Sequence, residues 1–405
     1  MKILFFTLLD IDLNQKGIYT DLMHEFANNH HQVHIVSATE KVEFKDSVLK
    51  ENNLTLSKVY IGQYQKTNVI KKGFTLFSIE YHFKQTIKKL CLMDKFDLII
   101  YSTPPITFAK TVGYVKKAQR AQTYLLLKDI FPQNAVDLGI LQKKGLRGLI
   151  YKYFRYKEKQ LYKISDYIGC MSPFNVEYVL HHNKYLQNKI IEVCPNTMTI
   201  QNDLQLSHGS KVEIRKKHNL PEDQVLFIYG GNLGKPQGIP FIIDCLKAHE
   251  DNPQGHIVIV GSGTEYSKLK TYFEHFSPTN ASLMGSLRKD VYEELVLACD
   301  VGLIFLDNRF TIPNFPSRLL SYMHALKPVL AATDKHTDLK NVIDDGEFGY
   351  WCQSTDFTPF IKLMERFKNE ENRIRMGESA RLYLENNYTS KHAYDVIMKH
   401  FEGKD

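Results

Sequence analysis

Short apolar runs and longer mixed segments alternate along the whole chain. The run KILFFTLL (2–9) is followed by Gly17 and then by TDLMHEFANNH (20–30), whose apolar positions recur every three or four residues. The first pattern predicts a buried strand, the second a helix packed by one face. QVHIVS (32–37), FDLIIYS (96–102), TYLLLKD (123–129) and DYIGCMS (166–172) repeat the strand pattern, with helical segments between them. A Pro/Asn/polar stretch, CPNTMTIQND (194–203), reads as a linker. The alternation then restarts with VLFIYGG (225–231), HIVIVGSG (256–263), ASLMGS (281–286), VGLIFLD (301–307) and PVLAAT (328–333). Strands apolar on both faces and separated by helices predict parallel βαβ units. The expected fold class is therefore α/β, with two Rossmann-like doubly wound domains facing a cleft. The last fifty or so residues read as all-helical, so C-terminal helices are expected to cross back to the first domain. The predicted domains are 1–195 and 196–385, with a final helical segment over 386–405.

Composition sharpens this picture in three places. A chain of 405 residues exceeds one ordinary core, and 43% hydrophobic with 24% charged residues is a globular balance. No apolar run reaches the ~18–20 residues that span a bilayer. The N-terminal apolar run is short and meets Asp10 and Asp12, so it reads as a first strand and not as a signal peptide. The six cysteines (91, 170, 194, 245, 299 and 352) form no C-x-x-C pair and read as the thiols of a cytosolic protein.

Charge divides the halves. Residues 1–200 hold 28 Lys+Arg against 17 Asp+Glu, a net of +11, whereas residues 201–405 hold 24 against 28, a net of −4. The first half is thus expected to face something anionic: nucleic acid, a membrane surface or a phosphorylated acceptor. Two basic, aromatic-rich stretches, 71–90 and 143–163, alternate apolar residues with Lys and Arg. Each reads either as an amphipathic helix packed inward or as a membrane-interface segment. No nucleic-acid motif accompanies them.

Candidate chemistry gathers in the second half. In YGGNLGKPQGIPFIIDCL (229–246), Gly231 and Gly238 permit either close approach of backbone N–H groups to a diphosphate or an ordinary βα turn, and Lys235 adds a mobile charge. Gly261 and Gly263 of VIVGSGTEYSKLK (258–270) permit a tight turn. After Gly285, Leu287 offers an apolar side chain for a base, and the strand 301–307 ends in Asp307. Arg309 and Arg318, the latter in NFPSRLLSYM (314–323), carry the planar fork suited to phosphate oxygens.

The order of these motifs resembles the C-terminal domain of the family-4 (group 1) glycosyltransferases, which have the GT-B fold. The order runs strand–GGN–helix, G-x-G, MGS, a strand ending in Asp, a PSR helix and a KPV strand. The first half is similar to the bacterial surface-polysaccharide members, including N-acetylfucosamine transferases, through YSTPPI (101–106), LKDIFPQNAVDLGIL (127–141) and YKEKQLYKISDYIGCMSP (156–173). The resemblance implies a metal-independent retaining enzyme with no cofactor. It would move a sugar, an N-acetylated amino or deoxy sugar, from UDP onto a lipid-linked or other glycan acceptor in capsule-type polysaccharide synthesis. It also implies a cytoplasmic protein, peripheral at the inner face of the cell membrane.

The resemblance further assigns residues. Family members place Arg and Lys in the GG loop where this chain has Asn232 and Gln237, which leaves Lys235 and Arg318 to carry the phosphates. The family's two carboxylates fall at Pro313 and Ser321, so ribose contact is expected from Ser321, with Asp307 or Asn314 compensating, and Ser317 is expected among the nucleotide-sugar-binding residues. Gly17 matches the loop where backbone approaches donor phosphate and acceptor. Asp129 reads either as a base or acceptor-orienting group, or as a helix N-cap. The missing carboxylates motivate one alternative: a non-catalytic GT-B partner that binds acceptor or a sister transferase.

Overall fold

A computed structural model describes residues 1–44, 47–62, 69–201 and 206–401. The side chains of 69–78 lie outside the described residues, and with them the first part of the basic stretch 71–90. The chain divides into two compact units: Met1–Thr199 with Thr389–Asp405, and Ile200–Tyr388.

The first unit is built on an eight-stranded sheet. Its strands are β1 (Lys2–Thr7), β2 (Gln32–Thr39), β3 (Val48–Glu51), β4 (Leu54–Tyr60), β5 (Leu98–Ser102), β6 (Gln122–Leu127), β7 (Tyr167–Cys170) and β8 (Ile190–Val193). They lie in the order β3-β4-β2-β1-β5-β6-β7-β8, parallel except for the β3–β4 hairpin. Side chains of β1 alternate between two cores: Ile3 and Phe5 on one face, Leu4 and Phe6 on the other. The first face is covered by the helix Ile18–Asn28 and by the last helix, Ser390–Met398, through Ala393, Ile397 and Met398. Tyr394 of that last helix lies 3.0 Å from the ring nitrogen of His31. Ser390 N–H donates to Met198 O at 3.1 Å, tying together the two places where the chain passes between units.

The second unit holds six parallel strands: β9 (Leu226–Asn232), β10 (His256–Ser262), β11 (Ala281–Met284), β12 (Val301–Phe305), β13 (Val329–Thr333) and β14 (Gly349–Gln353). Their order is β11-β10-β9-β12-β13-β14, with helices on both faces. Such sheets bind ligands beyond the carboxyl ends of their strands. The α/β expectation of two Rossmann-like units is met. The strands that periodicity did not reveal, β3, β4, β8 and β14, include three with exposed or half-buried faces at a sheet edge. Among the described residues no helix is long and apolar enough to cross a membrane.

Candidate active site

The carboxyl end of β9 is shaped around one arginine. A Cβ at Gly230 would collide with the Tyr292 ring, and Gly231 has φ +132°, a conformation that favours glycine. The Arg318 guanidinium carbon lies over the Tyr229 ring, 4.1 Å from its centre, and its Nη2 would stand 3.3 Å from a Cβ at Gly231. The Tyr229 hydroxyl donates to Asn232 O at 2.7 Å, which fixes the ring beneath the cation. Four residues along the short helix Arg318–His324, Tyr322 shares the face of Arg318 and donates to Ile228 O at 3.0 Å. Gly302 leaves room for that ring. Arg318 Nη1 is buried and has no hydrogen-bond partner among the described residues. A buried, unpaired donor on a permanent cation is costly, so this group is poised for an anionic acceptor at the glycine turn.

The rest of the loop is braced by its own side chains. Gln237 Oε1 accepts from Gly234 N–H and from Asn232 Nδ2, each at 3.1 Å, so both amides support the turn. Lys235 is exposed at its tip. Gly238 (φ +63°) opens the helix Ile239–Asp251 and packs against the Asp307 backbone. A Cβ at Gly261 would run into Gly231 O, and one at Gly263 into Leu233 O. These two glycines therefore serve close backbone packing between the β9 and β10 loops. Gly285 has open space around it, and Leu287 beside it is half-buried.

The groups expected near ribose sort into committed and open. Both Asp307 oxygens are taken by Arg309, through Nε at 2.8 Å and Nη2 at 2.7 Å. This bidentate pair commits one lone pair of each Asp307 oxygen to Arg309 and holds the carboxylate in place. Asn314 is held by its carbonyl, which accepts from Thr337 Oγ1 at 2.6 Å, while its buried Nδ2 has no partner among the described residues. Ser317 and Ser321 are exposed, and Pro313 is buried. Ser321→Ala should change UDP affinity by less than about twofold, whereas Asn314→Ala should weaken it by about five- to tenfold, the worth of one hydrogen bond. Titration calorimetry on the two variants checks both values.

In the first unit, Asp129 follows β6 and sits in a cage of its own. Its oxygens each lie 2.8 Å from Asn134 Nδ2, and its backbone N–H donates to Thr103 Oγ1 at 3.3 Å. The helix Gln133–Asp137 has Pro132 at its N-cap and no side-chain cap, so Asp129 is not a helix cap. Burial pushes its carboxyl up to about 6, against the opposing bonds from Asn134 and Ile130 N–H. The neighbouring Lys128 turns inward, donating to Cys194 O at 2.9 Å, and burial lowers its ammonium to about 8. The Gly17 N–H donates to Asp21 Oδ1 at 3.0 Å. Tyr229, Tyr322 and Asn134 escaped the sequence reading. The i, i+4 spacing of Arg318 and Tyr322 was the one visible signal for them.

A doubly wound sheet thus carries an arginine over an aromatic ring at a glycine turn, with one buried donor unpaired among the described residues. Residues 210–383 match the family model of the glycosyl transferases group 1. WbjE of Pseudomonas aeruginosa, a glycosyltransferase by the name it carries, is 23% identical over 326 residues, covering 80% of this chain and 78% of the relative. WcaI of Escherichia coli strain K12, named for colanic acid biosynthesis, is 21% identical over 243 residues, covering 60% and 59%. HepE of Anabaena, solved with UDP and glucose, superposes with a TM-score of 0.69 at 14% identity over 99% of both chains. The fold is GT-B, residues 210–383 of the second unit match the group 1 model, and the protein is a glycosyltransferase.

Proposed function

We propose that the protein moves a sugar, an N-acetylated amino or deoxy sugar, from UDP to a lipid-linked glycan precursor in cell-surface polysaccharide synthesis, with retention at the anomeric carbon. The second unit holds the donor and the first unit the acceptor. The observation that carries this reading is Arg318, held over Tyr229 beside Gly231 with a buried Nη1 that has no partner among the described residues. A departing nucleoside diphosphate gathers negative charge, and a preoriented guanidinium stabilises it without reorganising. Lys235, exposed on the same loop, supplies a second charge. Asp129, held up to about 6, is ionised at neutral pH and orients or deprotonates the acceptor hydroxyl. The UDP bound by HepE and the colanic acid role in the name of WcaI are consistent with this substrate class.

The test is release of UDP when the purified protein meets membranes and a panel of UDP-sugars, with EDTA present. Turnover with one sugar is expected. Absence of UDP binding at millimolar concentration would sink the donor assignment. UDP binding without turnover on any sugar would favour the non-catalytic partner instead.

A further inference from the structure

The amino ends of β6, β7 and β8 frame an open cavity of about 540 Å³, within the range of small-molecule sites. Gln122, Tyr167 and Ile190, the first residues of those strands, form part of its wall. Parallel sheets bind substrates at their other end, so the proposed reaction makes no use of this one. Lys116, Arg120 and Lys189 line it against a single carboxylate, Asp166, a net of +2. Asp166 Oδ1 accepts from Lys116 at 2.5 Å, and Oδ2 accepts from Thr123 N–H at 3.1 Å and Thr123 Oγ1 at 2.9 Å. Lys116 also donates to Ile164 O at 2.9 Å, and Lys189 to Lys163 O at 2.8 Å and to Ser165 O. Those carbonyls close the helix Gly145–Ile164, so both lysines have a structural duty, and each ammonium keeps one of its three donors. Arg120 has no such duty. It ends the helix Ala109–Gln119 at φ +58°, where glycine is the usual residue, and its exposed side chain makes no hydrogen bond or ion pair among the described residues. Gln122 Oε1 is buried and likewise has no partner among the described residues, an acceptor left open in the same cavity.

We infer that this cavity binds a small organic phosphate, its phosphoryl group held by Arg120, Lys116 and Lys189 and a hydroxyl of its carbon skeleton donating to Gln122 Oε1. A phosphate monoester of a polyol answers both observations. The positive surplus calls for a group that is close to a dianion at neutral pH, and the guanidinium fork suits phosphate oxygens. The open amide oxygen calls for a hydroxyl donor, which the charged phosphoryl oxygens do not supply. Burial, opposed by Asp166 and reinforced by Lys116, lowers the Lys189 ammonium, and a bound anion would raise it again. The wall at Tyr167 gives occupancy a consequence. That ring stacks on His400, 4.4 Å between centres, and His400 Nε2 lies 2.8 Å from Glu192 Oε1. A ligand against Tyr167 therefore also stabilises the chain end that closes the first unit. The site lies apart from the donor machinery, and its assignment does not depend on the transferase reading.

The experiment is titration calorimetry of the full chain, in a phosphate-free buffer, with glycerol 3-phosphate, sulfate and glycerol. Sulfate supplies the charge without a donor, and glycerol the donor without the charge. Glycerol 3-phosphate is expected to bind and to raise the melting temperature, sulfate to bind at least about fivefold more weakly, and glycerol not to bind. Arg120→Gly should weaken glycerol 3-phosphate at least about tenfold. It should melt no lower than wild type, because glycine suits φ +58° better than arginine does. Gln122→Leu should bring glycerol 3-phosphate down to the affinity of sulfate. UDP affinity should stay unchanged in both variants. No binding of glycerol 3-phosphate at millimolar concentration would overturn the inference, as would wild-type affinity in Arg120→Gly. Sulfate binding as tightly as glycerol 3-phosphate would refute the ligand class. Displacement of glycerol 3-phosphate by UDP would put it in the donor site and overturn the assignment as well. A wild type that binds glycerol 3-phosphate but not UDP would refute the transferase reading alone.

Discussion

Arg318→Ala should lower kcat by about a hundredfold to a thousandfold, the scale on which single preoriented charge-stabilising donors act. The loss follows from where the guanidinium is held: over Tyr229 at 4.1 Å, against Gly231, with Nη1 buried and without a partner among the described residues. Arg318→Lys should recover little of it. A lysine keeps the charge but loses both the planar stack and the second donor. Folding is a separate readout, because truncation also removes a cation–π contact worth about 1 kcal/mol. A variant that melts near wild type while failing to release UDP places the defect in the reaction. Full activity in Arg318→Ala would remove the residue from the mechanism.

Asp129→Asn should reduce turnover by about a hundredfold to ten-thousandfold at pH 8, the range of a lost general base. The wild-type rate should rise with pH through an apparent pKa of about 6, where this carboxyl ionises, and the variant should lack that limb. The two rates converge below pH 6, where the wild-type group is itself protonated. Stability runs the opposite way. The folded carboxyl titrates near 6 against an ordinary 3.8, so the folded chain binds this proton more tightly than the unfolded one. Stability is therefore present in full below pH 3.8 and is lost as pH rises through 6. Asp129→Asn should accordingly melt above wild type at pH 8 and level with it near pH 4. A variant less active and more stable marks a functional group; one that is less stable at pH 8 marks a structural one.

Much of the fold was legible because burial writes a strong pattern. β1, β9, β10 and β13 are apolar at nearly every position since both faces of their sheets are covered. Edge strands such as β3, fully exposed, and β14, half-exposed, have no such constraint and left no run to find. In the site, Arg318 and the glycines could be picked out, but their roles could not be separated. A glycine that admits a phosphate and one that admits a neighbouring backbone look identical in sequence, and only packing shows Gly261 meeting Gly231 O. The Asp307–Arg309 pair, two residues apart, was equally invisible as a pair because loop side chains carry no periodicity.

The first unit is discontinuous, closed by a helix that follows the whole of the second. During synthesis, Ile200–Tyr388 is complete in sequence before Ala393, Ile397 and Met398 exist to cover the core around Phe5, Leu22 and Phe26. Domains tend to fold as units while the chain emerges. The later-made unit thus has all its residues available first, and the earlier-made one keeps an apolar face open until the final helix arrives. A nascent chain stalled short of residue 390 would present that face to solvent and to chaperones, which makes the last helix a folding checkpoint as well as a piece of core.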